Sequence, residues 1–232
     1  MKKIIGLLAG FAMLGSAHAA VVTYNFTATV AAIDETLPPA YTSTLKDLST
    51  LTGMAVALGQ EIHGSFSYDT AMGLNVNYQP PPETSGTYLL YNDPNNATTI
   101  IAPDVFARPQ EVIYGTNLLQ IANDATTFFG GDTLSLSTTV MAPDFSSFNG
   151  SISLFDFSGT AFDHGGVPTS LRLSSFNYAA YELYYFLPTG GYVRIESAIT
   201  ALTPAAAVPE PETYAMLMAG LALIGWRTRK RA

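Results

Sequence analysis

Cysteine is absent from this chain. Its absence excludes disulfides, cysteine nucleophiles, thiolate-bound metals and lipidation at an N-terminal cysteine. Histidine is almost as scarce, with His18, His63 and His164 alone. A His-rich metal site needs more than these can supply. Positive charge is the third shortage. Between residues 20 and 204 the only cations are Lys46, Arg108, Arg172 and Arg194, against sixteen acids, a net charge of −12. Such a region repels nucleic acid and anionic lipid, and its acidity favours solubility. Catalytic motifs are missing too. There is no Gly-x-Ser-x-Gly elbow, phosphate-binding loop, dinucleotide fingerprint or zinc-protease helix. The acids show no pairing that would support a glycosidase.

The two ends carry what the middle lacks. Met1-Lys2-Lys3 is positive, residues 4–14 are apolar, and Ala17-His18-Ala19 is a small-x-small cleavage pattern. The apolar run is too short to span comfortably, so residues 1–19 read as a signal peptide cut after Ala19. His18 leaves with it. At the other end stand Pro209-Glu210-Pro211, an uncharged stretch at 214–226, and then Arg227, Arg229, Lys230 and Arg231. As a helix, residues 214–226 would be roughly 20 Å long, short of a hydrocarbon core of roughly 30 Å. Trp226 and the cations belong at the cytoplasmic face, which places residues 20–208 outside the inner membrane. The expected division is a signal peptide at 1–19, an ectodomain at 20–204, a linker at 205–208 and a sorting segment at 209–232. The linker, between Pro204 and Pro209, should be open to a protease.

The segment from Val208 to Arg231 closely resembles the PEP-CTERM sorting signal of Gram-negative bacteria. The resemblance implies recognition through Pro209, Glu210 and Pro211, with Arg227, Arg229, Lys230 and Arg231 as the basic stop. It implies processing by an exosortase, a transient stay in the inner membrane, and association with extracellular polysaccharide or biofilm.

The middle reads as all-β, a single β-sandwich or jelly roll. Val22, Tyr24, Phe26, Ala28 and Val30 alternate onto one face of a first strand. Ile62, Phe66 and Tyr68 form a second, Leu134, Leu136, Thr138 and Val140 a third, and Ile152 and Leu154 a fourth. Residues 178–187 are apolar on both faces, which predicts a central strand. Val193, Ile195 and Ile199, set against Arg194, Glu196 and Ser197, predict a half-buried final strand. Thr189-Gly190-Gly191 between these last two is a strong hairpin signal. One segment departs from the pattern. Leu45, Leu48 and Leu51 recur three apart behind Thr44, so a short helix is expected over 44–51, ended by Gly53.

Few residues suggest chemistry. Glu61 and His63 lie two apart on one strand face, within range for acid–base work or a metal, or merely as a solvated face. Asp163-His164-Gly165-Gly166 reads as a polar turn. Asp93, Asn95 and Asn96 in one loop, with Asp124 and Asp132 in others, offer calcium oxygens without forming an EF-hand. Tyr88, Tyr91, Tyr178, Tyr181, Tyr184, Tyr185 and Tyr192 could stack on sugar rings if exposed, or pack as core and cross-strand partners.

These readings converge on a non-enzymatic exported protein at the cell surface or in the matrix, structural or adhesive, with no cofactor, no metal and no nucleic-acid partner. A carbohydrate-binding module for extracellular polysaccharide is the first alternative, and a secreted hydrolase the second.

Overall fold

A computed structural model describes residues 21–70, 87–92, 99–106, 113–125, 131–163 and 166–205. The elements are β1 (Val21–Leu37), β2 (Thr42–Leu45), β3 (Leu48–Ser49), β4 (Val56–Ala57), β5 (Glu61–Asp69) and β6 (Thr87–Asn92). They continue as β7 (Thr99–Ile101), β8 (Tyr114–Ala125), β9 (Gly131–Met141), β10 (Ser147–Asp156), β11 (Tyr178–Phe186) and β12 (Tyr192–Pro204). One antiparallel sheet of ten strands runs in the order β6-β8-β9-β10-β11-β12-β1-β5-β7, with β2 beside β1.

Period-two alternation builds this sheet. Along β9 and β10 every second residue is buried from Asp132 to Val140 and from Phe148 to Asp156. Leu134, Leu136, Ile152 and Leu154 thereby enter the core, while Ser135, Ser137, Ser151 and Ser153 turn outward. Register shifts in β1 at Thr27/Ala28 and Val30/Ala32 let this long strand bend. The sheet curls until β7, at one edge, packs near β9 and β10. Phe106, just past β7, stacks on Phe148 of β10 with centroids 4.4 Å apart. The result is sandwich-like, a sheet nearly closed into a barrel around one apolar core.

Most expected strands are present with the expected faces. β11 lies between β10 and β12, as its two-sided apolar character requires. The β11–β12 turn places Gly190 and Gly191 at φ +89° and +84°, and Leu187 N–H donates to Gly191 O at 3.1 Å. Ser197 differs from expectation. It lies fully buried in line with Val193 and Ile195, because alternation continues through it to Ile199.

The helix over 44–51 does not form. Thr42–Leu45 is β2, paired with Asp34–Leu37 of β1, and Leu48–Ser49 is β3, paired with β4. Leu45 is 75 % exposed and Leu48 is exposed as well, so the three-apart leucines never shared a buried stripe. The free edge of β1 offered partners that a single helical turn could not match. Lys46 N–H donating to Ile33 O at 2.9 Å extends that pairing.

Gly191 is the least replaceable turn residue. A β-carbon there would collide with Thr36 O, in a backbone conformation that side chains disfavour. Gly191→Ala should cost about 1–3 kcal/mol, read as a lower urea midpoint with an unchanged slope.

Candidate functional site

Pairing between the first and last strands decides how the domain is presented. Tyr24 of β1 lies opposite Pro204 of β12, and Ala205 N–H donates to Thr23 O at 2.8 Å. The chain therefore enters and leaves the sheet side by side, at what is termed here the proximal pole. β1 then runs on the order of 50 Å, at about 3.3 Å per residue, toward Leu37. That distal pole also carries the β9–β10 and β11–β12 turns.

The proximal pole is closed by residues 157–163 and 166–177, and two buried carboxylates hold part of this cap. Asp132 and Asp156 face each other across β9 and β10. Asp132 accepts the N–H groups of Asp124 at 2.9 Å and Phe162 at 2.8 Å. Asp156 accepts the N–H groups of Ser158 at 3.0 Å and Thr160 at 2.7 Å, and both their hydroxyls. Burial alone would raise the Asp156 pKa; those four bonds outweigh it and lower it to about 2. Tyr24 Oη accepts Leu171 N–H at 2.7 Å, and Tyr68 Oη donates to Pro168 O at 2.9 Å, tying the same cap to the core.

The distal pole is different in kind. Tyr41 is 59 % exposed, Tyr114 56 % and Phe145 74 %, and Phe186 is exposed at the same end of the sheet. Tyr41 and Phe145 are left-handed, at φ 49° and 66°. Outside glycine that conformation is uncommon and costs energy, yet here it is given to two exposed aromatics at loop tips. Register carries the pattern onto the sheet in one transverse row: Tyr114, Met141, Ser147, Phe186 and Tyr192. The next row is Thr116, Thr139, Asn149, Tyr184, Arg194 and Asp34. Tyr184, Phe186 and Tyr192 form a mutual cluster with centroids 5.8–6.3 Å apart. Asn149 Nδ2 donates to Thr139 Oγ1 at 2.7 Å.

Arg194 organises the charges beside these rings. Its guanidinium lies 5.9 Å from the Tyr184 centroid and donates to Glu182 at 2.6 Å, Glu196 at 2.7 Å and Asp34 at 3.4 Å. Partial burial alone would favour the neutral form. Glu182 first, then Tyr184 and Glu196, more than reverse this, so the cation persists.

The residues singled out in the sequence are dispersed. Glu61 and His63 do share a face, and His63 Nε2 lies 3.4 Å from Glu61 Oε1. Asp104 joins them unforeseen, with its carboxylate 3.3 Å from His63 Nδ1 and accepting His63 N–H at 2.7 Å. Glu61 and His63 are exposed and Asp104 is partly exposed. Asp163 is exposed, while His164 and Gly165 lie outside the described residues. So do Asp93, Asn95 and Asn96; Asp132 spends both oxygens on backbone N–H groups. Among the described residues no group of three His, Cys, Asp or Glu is placed to hold a metal. Tyr181 is fully buried and Tyr185 packs against Phe106, which removes both from any sugar platform. Tyr88 and Tyr91 have no described side chains. Nothing in sequence marked Tyr41 or Phe145, because neither lies on an alternating run.

Two outcomes follow from these networks. In the unfolded chain the Asp156 carboxyl titrates near 4, at about 3.9. Its stabilising contribution is therefore complete above that value and is lost as pH falls toward 2. Asp156→Asn should cost about 1–3 kcal/mol at pH 7. The gap in urea midpoint between it and the parent should narrow at pH 3. Arg194→Met leaves Glu182 directly opposite Glu196 without their shared cation. It should cost about 1–2 kcal/mol, discounted for partial exposure, and added salt should recover part of the lost thermal midpoint.

Among the described residues no helix is long and apolar enough to cross a membrane, and the apolar stretch at 214–226 lies outside them. So do residues 1–19, Pro209, Glu210, Pro211, Arg227, Arg229, Lys230 and Arg231. No curated protein and no solved structure matches the chain. The family model of the PEP-CTERM protein-sorting motif does match it, over residues 207–231, two residues beyond the end of the described sheet region at Ala205. The motif implies export and membrane-associated sorting toward the cell surface, with processing by an exosortase. The chain is a PEP-CTERM sorting-domain protein, with an all-β domain ahead of its sorting motif.

Proposed function

We propose that this protein is a non-enzymatic structural or adhesive component of the cell surface or extracellular matrix. In this reading Pro209, Glu210 and Pro211 are the exosortase recognition element, and Arg227, Arg229, Lys230 and Arg231 are the basic stop that precedes release from the inner membrane. The observation that carries it is the short step from sheet to sorting motif. Ala205 is still hydrogen-bonded to β1, and the motif begins at residue 207. Wherever the domain is held through its C-terminal end, its proximal pole faces the point of attachment and its distal pole faces away from it. Display of one pole is the geometry that adhesion or scaffolding requires. Against a hydrolase stands the exposure of Glu61 and His63 and the partial exposure of Asp104. A working acid–base pair gains from a dry, enclosed setting.

Intact mass tests the sorting step, on protein recovered from the membrane, surface and medium of cells with and without the exosortase. The expected form lacks residues 1–19 and ends between 208 and 212, and it appears outside the inner membrane only when the enzyme is present. Protein that keeps residues 214–232 in both strains and stays in the inner membrane would overturn the proposal.

A further inference from the structure

The geometry points to the distal pole as a binding surface for a neutral polysaccharide, with Tyr41, Phe145 and Phe186 as its stacking platform. The inference rests on the displayed-domain reading and names the partner of that display. Three independent features meet at this end. Four exposed rings lie at the pole away from Thr23 and Ala205, where the described sheet begins and ends. Two of them, Tyr41 and Phe145, are held in a left-handed backbone that folding alone would give to glycine. Behind them the sheet presents hydroxyl and amide groups in register, including Ser147 and Asn149.

Chemistry selects the occupant. A pyranose ring has apolar C–H faces that suit an aromatic surface, and equatorial hydroxyls that suit Ser, Thr and Asn. Rings interleaved with hydroxyl-bearing residues match that alternation. A second copy of this chain would bring a region of net charge −12 against another of the same charge. Anionic polymers and lipid surfaces meet the same repulsion. Arg194 does not invite them, because Glu182, Glu196 and Asp34 already surround it. A neutral, hydroxyl-rich polymer pays no such electrostatic penalty. Its repeating units would also engage several rings at once, so weak single contacts add along the chain.

The test uses the processed protein recovered from the medium, run through native gels containing hydroxyethylcellulose, galactomannan or alginate. Retardation is expected with at least one neutral polymer and not with alginate. Combined Tyr41→Ala, Phe145→Ala and Phe186→Ala should weaken binding at least tenfold while far-UV circular dichroism stays unchanged. Phe157→Ala, which removes an exposed ring at the proximal pole, should leave binding as it was. The inference falls if neither neutral polymer retards the protein, if alginate retards it more, or if the triple variant binds as tightly as the parent. It also falls if sedimentation shows self-association that the triple variant abolishes, which would assign the surface to a second copy. Processed protein that reaches the medium and binds nothing would sink this inference alone and leave the sorting proposal intact.

Discussion

The pairing of β1 with β12 is the constraint on which the rest of the structure depends. It joins the first described strand to the last, from Tyr24 opposite Pro204 to Thr36 opposite Tyr192. Both strands lie inside the sheet, each with a further neighbour, so neither edge of this ladder is free. Its residues are separated by most of the chain, and the closure entropy of that loop has to be offset by buried area. Tyr24, Phe26, Ala28, Val30, Val193, Ile195 and Ile199 supply it. Without this ladder the sheet would split, and Thr23 and Ala205 would no longer lie together.

Once the ends are fixed at one pole, the two poles divide their tasks. The proximal pole is sealed by specific polar bonds, with Asp132 and Asp156 holding loop N–H groups and two buried tyrosines holding the segment that follows. These are costly groups to bury, and they persist because each carboxylate oxygen accepts at least one bond. The distal pole spends its sequence in the opposite way. It leaves rings in water and accepts two left-handed aromatics, arrangements that add little to folding. The fold thus closes one end with buried polar groups and leaves Tyr41, Tyr114, Phe145 and Phe186 exposed at the other.

Charge shows the same division of labour. The sequence is rich in acids, and several of them accept N–H groups of the chain's own backbone. Asp132 had been a candidate calcium ligand, and its oxygens are taken by Asp124 and Phe162. Arg194, one of four cations in the region, is shared among three acids across β1, β11 and β12. It relieves the like-charge pairing of Glu182 with Glu196 that strand register imposes. Such networks position neighbours, here Tyr184, as much as they stabilise.

Local signals in the chain were enough for several features. Alternation placed Phe26, Leu134, Ile152 and Val193 in a core, because side-chain direction in a strand repeats every two residues regardless of what lies across from it. Paired glycines marked the β11–β12 turn, because only a residue without a side chain takes that backbone cheaply. The sorting motif was legible for a different reason: its order of proline, apolar stretch and cations is a linear pattern that needs no fold, and the family model matches it over residues 207–231. Everything that depends on who lies beside whom was settled by the tertiary structure. Leu45, Leu48 and Leu51 carried a helical period, yet the open edge of β1 drew Thr42–Leu45 into a strand. Asp104 came to His63 from forty-one residues away. Tyr181 and Tyr184 are near neighbours of one type, but opposite strand faces buried the first and left the second beside Phe186 and Tyr192. The distal rim arose the same way, from separate turns that are remote in sequence and brought to one end by the register of antiparallel strands.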